Sequence, residues 1–143
     1  MSDTIKESNK YEQYSRIDVI GQNGNDGEHY DKTDAIAYIE EHYPETAKEF
    51  QRLQFEQWNL FCKKQMDYGP SNIAMGTSLD TPEEKRLSKI GLIVRINDKV
   101  QRLINLVVKN NREAQNEPAI DAFKDLSVYG IIAQIVEAGK WGK

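Results

Sequence analysis

The residues of this chain whose types and spacing suit chemistry lie in an acidic stretch and in the basic stretch before it. Glu117, Asp121 and Asp125 are spaced four residues apart, so they fall within one narrow arc of a helix. The same arc continues with apolar residues, which are Val128, Ile132 and Ile135. Carboxylates aimed toward a protein interior need a metal ion, a basic side chain or a bound ligand as a partner. The acidic stretch therefore predicts a site without naming its reaction.

Magnesium is the metal that this arrangement suits. Mg²⁺ takes oxygen ligands and commonly shares its coordination with substrate phosphates. We therefore expect Asp121 and Asp125 to hold it, with Asp98 from the preceding helix as a third ligand. The alternative is purely structural, because acids near a helix N-terminus are stabilised by the helix dipole. That alternative is the better explanation for Glu117, and for Asp121 and Asp125 both explanations stay open.

The basic stretch places Arg95, Lys99 and Arg102 at i, i+4 and i+7, so a single ligand can touch all three. Arginine binds phosphate oxygens with two parallel hydrogen bonds. Asp98 precedes Arg102 by four residues and can orient it. The alternative is a solvated face with ordinary ion pairs. The spacing indicates a phosphate-binding column because the next helix supplies complementary acids.

A third group lies at the end of an earlier helix and contains Lys64, Asp67 and Tyr68. Lys64 falls on the apolar stripe of its helix, where it can reach a phosphate or an acid, or extend along the stripe into solvent. Tyr68 can stack on a base, or simply pack at the helix end. We include all three as candidate ligand-binding residues.

Four helices are predicted to position these groups. Apolar periodicity indicates helices over residues 44–66, 82–110 and 117–138, and a short one over 34–42 with Thr33 as its N-cap. Short connections make the last two antiparallel neighbours. The expected fold is all-α, a bundle of three to five helices.

Apolar stripes predict which faces of these helices are inward. The residues expected inward are Ala35, Ile36 and Ile39 in the short helix, Phe50, Leu53, Leu60 and Phe61 in the second, and Leu92, Ile93, Ile96, Val100, Leu103, Ile104 and Val107 in the third.

The helix over 117–138 is apolar almost all round, which predicts that it is the most buried. Asn116 is its expected N-cap, and Gly130 is expected where another helix approaches closely, because glycine is otherwise costly there. The outward residues would be Lys124, Gln134 and Glu137.

The remaining segments have less regular patterns. Residues 1–45 form a predicted N-terminal appendage, with a short strand at 16–21, a loop at 21–27 and a hairpin partner at 28–30. Residues 46–143 form the predicted helical domain. A loop is expected at 69–80, and a short tail that frays at 139–143.

Composition excludes several classes of protein. The 143 residues include one cysteine, Cys62, and two histidines, so neither an internal disulfide nor a zinc site rich in cysteine or histidine is expected. The formal net charge of -4 argues against nucleic acid as a partner. No apolar run reaches the roughly 18 residues that span a membrane. We expect a cytoplasmic protein with no membrane partner.

Three separated motifs resemble the first nucleotide modification associated domain, a small helical family frequent in phage genomes. They are Lys64-x-x-Asp67-Tyr68-Gly69, Gly91-x-x-x-Arg95-x-x-Asp98-Lys99-x-x-Arg102-Leu103-x-Asn105-Leu106 and Glu117-Pro118-x-x-Asp121-x-x-x-Asp125-Leu126-x-x-Tyr129. The resemblance covers residues 55–137. It implies a phage-type protein linked to nucleotide metabolism or modification, acting in the host cytoplasm, and it implies no particular reaction.

A looser resemblance is to the all-α nucleoside triphosphate pyrophosphatases. Those enzymes bind Mg²⁺ with acid pairs on two helices, whereas this chain has Arg95 and Asp98 where the first pair would be. This departure favours a site that holds phosphate directly with arginine and lysine.

Three functions remain open on the sequence. One is a Mg²⁺-dependent nucleotide phosphohydrolase or nucleotide-modification accessory, with the metal polarising a phosphoryl oxygen. Another is a noncatalytic sponge that sequesters a nucleotide or cyclic nucleotide immune signal. The third is a structural bundle with ion pairs only. A homo-oligomer is expected for the nucleotide-binding protein.

Overall fold

The computed structural model describes residues 32–143, which form helices and connecting loops without a β-strand. Its helices are α1 (Lys32–His42), α2 (Pro44–Tyr68), α3 (Ser71–Ala74), α4 (Pro82–Leu103), a π-helix (Ile104–Lys109) that continues α4, and α5 (Ala119–Glu137). The all-α prediction is confirmed. The predicted strand, loop and hairpin at 16–30 lie outside the described residues. None of the described helices is long and apolar enough to cross a membrane.

The chain divides into two compact units between Phe55 and Glu56, within α2. In the first unit, the described apolar side chains are largely exposed, at 60% for Ile36 and 63% for Phe50. The expectation that the apolar residues of α1 face inward was wrong, since Ala35, Ile36 and Ile39 are all exposed. The predicted start of this helix at Asp34 is two residues later than the observed start at Lys32. A boundary at residues 45–46 stays a prediction.

Local sequence signals explain where α2 ends and α4 begins. After Tyr68 the chain turns at Gly69, whose φ of 65° is readily adopted only by glycine. At the start of α4, the Thr81 hydroxyl accepts a hydrogen bond from the Glu84 amide, and the Glu84 carboxylate accepts one from the Thr81 amide. The region expected to be a loop, 69–80, contains the short helix α3.

The core of the second unit is a cluster of seven buried residues, which are Ile73, Ala74, Leu79, Leu92, Ile132, Val136 and Trp141. It joins α3 and the loop after it to α4, α5 and the C-terminal tail. The neighbouring Ser88, only 1% exposed, donates its hydroxyl proton to the carbonyl oxygen of Ile73 at 2.6 Å, which satisfies both buried groups. The predicted frayed tail is wrong, because Trp141 is 5% exposed and belongs to this cluster.

Only part of the predicted inward face of α4 is covered. Leu92 is buried, and Ile96 and Leu103 are half-buried. Ile93 and Val107, also expected inward, are 62% and 50% exposed. The apolar stripe of α4 is too wide to be buried against one neighbouring element. The helix therefore has two apolar faces, and the rest of the second unit covers one of them.

The last long helix, α5, has three buried residues, Ala122, Ile132 and Val136, against two in α4 and none in α2. Its opposite face is nevertheless exposed, with Ile120, Phe123 and Ile131 about half accessible. The prediction that α5 is the most buried of the long helices is therefore confirmed, whereas the expectation that only Lys124, Gln134 and Glu137 face outward was wrong.

Two predictions about particular residues of α5 also fail. Nothing lies within 4 Å of a Cβ built on Gly130, so no helix approaches closely there. Pro118, rather than Asn116, occupies the N-cap, and it makes no side-chain capping hydrogen bond.

Candidate functional site

The second unit contains a cavity of about 340 Å³ between the C-terminal half of α2, the start of α3, α4, α5 and the tail. Its lining combines two kinds of side chain. Four are aromatic, namely Phe61, Tyr68, Tyr129 and Trp141, and four are charged, namely Lys64, Arg95, Lys124 and Asp125. Aromatic surface with a few convergent polar groups is typical of small-molecule sites.

The aromatic side of the cavity is held by the C-terminal tail. The indole N–H of Trp141 donates to the carbonyl oxygen of Pro70 at 3.0 Å. The Trp141 ring meets the edge of Phe61, with ring centroids 6.1 Å apart, a favourable aromatic geometry. Tyr68, at the end of α2, is 66% exposed, so its ring is accessible to a planar ligand at the cavity mouth.

The acid that lines this cavity, Asp125, is paired with lysines from two other helices. Its Oδ2 lies 2.7 Å from Nζ of Lys99 and its Oδ1 lies 3.5 Å from Nζ of Lys64. The Asp125 and Lys99 side chains are 22% and 25% exposed, whereas Lys64 is 53% exposed. Since Lys99 lies outside the cavity and satisfies Asp125 at hydrogen-bond distance, Lys64 contributes positive charge to the cavity.

The Lys99–Asp125 pair makes the stability of the fold depend on pH in the alkaline range. The hydrogen bond to Asp125 raises the pKa of Lys99 above its ordinary value, so the pair stabilises the fold fully below the unfolded lysine pKa, about 10.4. This contribution is lost as pH rises through the folded pKa. We expect Lys99→Met to lower the free energy of unfolding in urea by about 1 kcal/mol at neutral pH. This difference from the wild type should vanish at strongly alkaline pH, where Lys99 is neutral.

The control for this experiment is Lys109→Met, which removes an exposed lysine outside the cavity. It should follow the wild-type profile. A difference between wild type and Lys99→Met that stays constant through the alkaline range would contradict the role given to the pair.

A second cation, Arg95, reaches the cavity from α4. One of its terminal nitrogens donates to the carbonyl oxygen of Asn72 at 3.1 Å, which uses one of the five guanidinium N–H groups. Asn72 also lines the cavity, and its side-chain oxygen is buried without a hydrogen-bond partner. Arg95 is therefore anchored by the turn before α3 while retaining donors for a ligand.

A smaller cavity of about 200 Å³ shares most of its lining residues with the first cavity. The acidic stretch lines this smaller cavity. Glu117, Asp121 and Asp125 all line it, together with Lys64 and Lys124. The Lys124 and Asp121 side chains are 3.8 Å apart. Among residues 32–143, no three acidic, histidine or cysteine side chains are arranged to hold a metal ion.

The other predicted site residues lie elsewhere. Arg102 donates to the backbone carbonyl oxygens of Glu117 and Pro118, where it ties α4 to the start of α5. Asp98 and Asp67 are exposed, and neither is among the residues that line the cavity. The structure thus brings Lys64, Tyr68, Arg95 and Asp125 together at the cavity, with Lys99 behind Asp125.

Lys124, Asn72 and Trp141 are among the cavity residues that were missed from the sequence. Lys124 was expected to face outward but lines both cavities. Asn72 lay in a predicted loop, and Trp141 in a predicted frayed tail. Only Trp141 had a usable signal, because a tryptophan in a five-residue tail between Gly139 and Gly142 is a large apolar side chain that requires cover.

Comparisons with known proteins found no match to a protein family, to a curated protein or to a solved structure. The resemblance of the three motifs to the nucleotide modification associated domain therefore stays a prediction.

Proposed function

We propose that this chain is a nucleotide-binding protein whose ligand occupies the cavity between α2, α4 and α5. The observation that carries the proposal is the shared lining of three cations and four aromatic residues, in which the acid, Asp125, is already paired with Lys99. Phosphate oxygens would accept from Lys64, Arg95 and Lys124. The base would stack on Tyr68.

The cavity dimensions bear on the kind of nucleotide. Its volume of about 340 Å³ is near the lower end of small-molecule pockets, which extend from roughly 300 to 1,000 Å³. This favours a mononucleotide over a cyclic dinucleotide. The three motifs that resemble the phage nucleotide modification associated domain favour a nucleotide as the ligand, without distinguishing between these two kinds. One binding protein of this kind is a phage protein that sequesters a host nucleotide signal.

A second candidate is a Mg²⁺-dependent nucleotide phosphohydrolase or nucleotide-modification accessory. The observation that favours it is the meeting of Glu117, Asp121 and Asp125 at the smaller cavity, beside Lys64. A nucleotide phosphate held by Lys64 would supply further oxygen ligands to a metal at Asp121 and Asp125. The pairing of Asp125 with Lys99 at 2.7 Å weighs against this candidate, because a metal would have to compete with the ammonium group.

The test is a thermal-shift screen with mononucleotides, cyclic mononucleotides and cyclic dinucleotides, each with and without Mg²⁺. A ligand at 100 times its dissociation constant adds about 2.7 kcal/mol of stability. We expect a mononucleotide to raise the melting temperature without Mg²⁺, while the matching nucleoside and inorganic phosphate do so less. No response to any nucleotide under either condition would overturn the proposal.

Calorimetry separates the two candidates. The Mg²⁺-dependent enzyme requires Mg²⁺ to bind in the presence of the nucleotide that the screen identifies, and requires Asp121→Asn to weaken that binding. Nucleotide binding that is equal with and without Mg²⁺, and equal in Asp121→Asn, would leave the binder as the function and remove the metal.

A further inference from the structure

One hydrogen-bond acceptor in the wall of the nucleotide cavity has no partner. The side-chain oxygen of Asn72, Oδ1, has almost no contact with solvent and accepts no hydrogen bond. Among the buried and half-buried residues that the structure describes, it is the one side-chain nitrogen or oxygen atom in this state. Asn72 is half-buried and lines the cavity. Buried polar groups are normally hydrogen-bonded, so this oxygen needs a donor that the described chain does not supply.

The backbone around Asn72 is held in place by side chains from α4 and the tail. Its own carbonyl oxygen accepts a hydrogen bond from Arg95 at 3.1 Å. The carbonyl oxygen of Ile73 accepts one from the hydroxyl of Ser88 at 2.6 Å. The carbonyl oxygen of Pro70 accepts one from the indole of the tail at 3.0 Å. These bonds fix the position from which the Asn72 side chain extends, so little order has to be gained when a ligand contacts it.

The position of Asn72 in the cavity indicates which part of a nucleotide would lie beside it. The three cations of the cavity make no hydrogen bond to its side-chain oxygen, and in the proposed function they bind phosphate, whose oxygens are acceptors. Asn72 follows Pro70 by two residues, and the Pro70 carbonyl holds the indole of Trp141 on the aromatic side of the cavity. The aromatic side is where a base would stack. The donor to Asn72 is therefore expected to belong to the base.

We propose that Asn72 accepts a hydrogen bond from an exocyclic amino group of the base, so that this chain binds nucleotides with an amino group more tightly than their keto counterparts. Adenine, cytosine and guanine carry such a group, whereas uracil and hypoxanthine do not. The inference rests on the nucleotide-binding function proposed above, and it names the residue that selects among nucleotides.

The recessed position of Oδ1 favours an amino group over a ring N–H. An exocyclic amino group projects from the ring, and the terminal torsion of asparagine is broad enough to turn the oxygen toward it. The ring N–H of uracil or hypoxanthine is flanked by carbonyl oxygens, which would meet Oδ1 and the backbone carbonyl of Asn72. The amide nitrogen of Asn72 remains free to donate to a neighbouring ring nitrogen, as in the paired hydrogen bonds that asparagine makes with adenine.

Calorimetric titration of the full chain with matched nucleotides tests the proposal. IMP lacks the amino group of AMP and that of GMP, and UMP lacks the amino group of CMP. We expect the nucleotide that binds most tightly to carry an amino group, and to bind about tenfold or more tightly than its keto counterpart, because the keto compound leaves the buried acceptor unpaired. Tightest binding of IMP or UMP, or equal affinities within the pairs, would overturn the proposal.

Asn72→Leu assigns the preference to this side chain. Leucine has a similar size, retains the backbone carbonyl that holds Arg95 and lacks the acceptor. The variant should bind the amino and keto members of each pair about equally. Its melting temperature should be unchanged or higher than that of the wild type, because replacing an unpaired buried acceptor with an apolar group costs no hydrogen bond. An amino preference that persists in Asn72→Leu would overturn the role given to Asn72.

The matched control is Gln65→Leu, which removes another half-buried carboxamide from the lining of the same cavity. Gln65 has no buried side-chain atom without a partner, so this variant should keep the amino preference. Equal loss of the preference in Gln65→Leu and Asn72→Leu would overturn the assignment to Asn72. Binding of nucleotides without an amino preference overturns this inference alone, whereas no binding of any nucleotide overturns the proposed function and this inference with it.

Discussion

Replacing Trp141 with alanine is expected to lower the free energy of unfolding by about 3–5 kcal/mol, the range for removing a buried large aromatic side chain. Trp141 is 5% exposed, packs edge-on against Phe61, and donates its indole N–H to Pro70. The substitution would open a cavity in the cluster that joins the tail to α3 and α5. Urea unfolding followed by circular dichroism measures the change.

The chain offers a matched control in its other tryptophan. Trp58 also stacks near Phe61, with ring centroids 5.8 Å apart, but it is 57% exposed. Trp58→Ala should therefore cost less than about 1 kcal/mol. If Trp141→Ala does not fold, Trp141→Phe still tests the prediction, because it should cost about 1–3 kcal/mol through the lost hydrogen bond to Pro70. Equal destabilisation by Trp58→Ala and Trp141→Ala would show that the tail is not part of the core.

The second large effect concerns ligand affinity. Removing a charge-assisted hydrogen bond costs roughly 1.5–3 kcal/mol, so Lys64→Ala and Arg95→Ala should each weaken nucleotide binding about tenfold or more. The double variant should lose roughly a hundredfold or more. Lys64 is 53% exposed, so its substitution should change fold stability by at most about 1 kcal/mol. Calorimetric titration with the nucleotide identified by the thermal-shift screen gives the affinities.

Arg102→Ala is the control that separates the cavity from the rest of the basic stretch. The sequence grouped Arg102 with Arg95, but the structure places its guanidinium on the backbone carbonyls of Glu117 and Pro118. We expect this variant to lose some stability and to keep its nucleotide affinity. If nucleotide affinity falls in Arg102→Ala and stays unchanged in Lys64→Ala and Arg95→Ala, the phosphate site does not lie in the cavity.

The local signals in the sequence were sufficient for the helices. Thr81 and Pro82 marked the start of α4, and Gly69 marked the end of α2, because capping and backbone conformation depend on residues within one turn. The periodicity of α4 and α5 also identified Arg95, Lys99 and Asp125 as neighbours on facing helices. Those predictions needed only the helical period and a short connection between two helices.

The sequence could not determine which of two apolar faces a helix buries. Ile93 and Leu92 are adjacent and equally apolar, yet one is 62% exposed and the other 2%. The apolar circumference of α5 misled in the same way at Ile120 and Phe123. The apolar period shows only that a side chain avoids water, whereas the side chain's packing partner is set by contacts between segments that are distant in the sequence.

The composition of the cavity was likewise decided by tertiary structure alone. Trp141 and Pro70, whose hydrogen bond holds the aromatic side, are 71 residues apart. Neither Arg102 nor Lys124 has its expected role, because Arg102 donates to backbone carbonyls and Lys124 lines the cavity. A lysine or arginine side chain is long enough to reach several neighbours, so its partner depends on which acids and carbonyls the folded chain brings within reach. The sequence alone thus determined the helices and the chemistry available to them, whereas the tertiary structure decided which of those groups share one cavity.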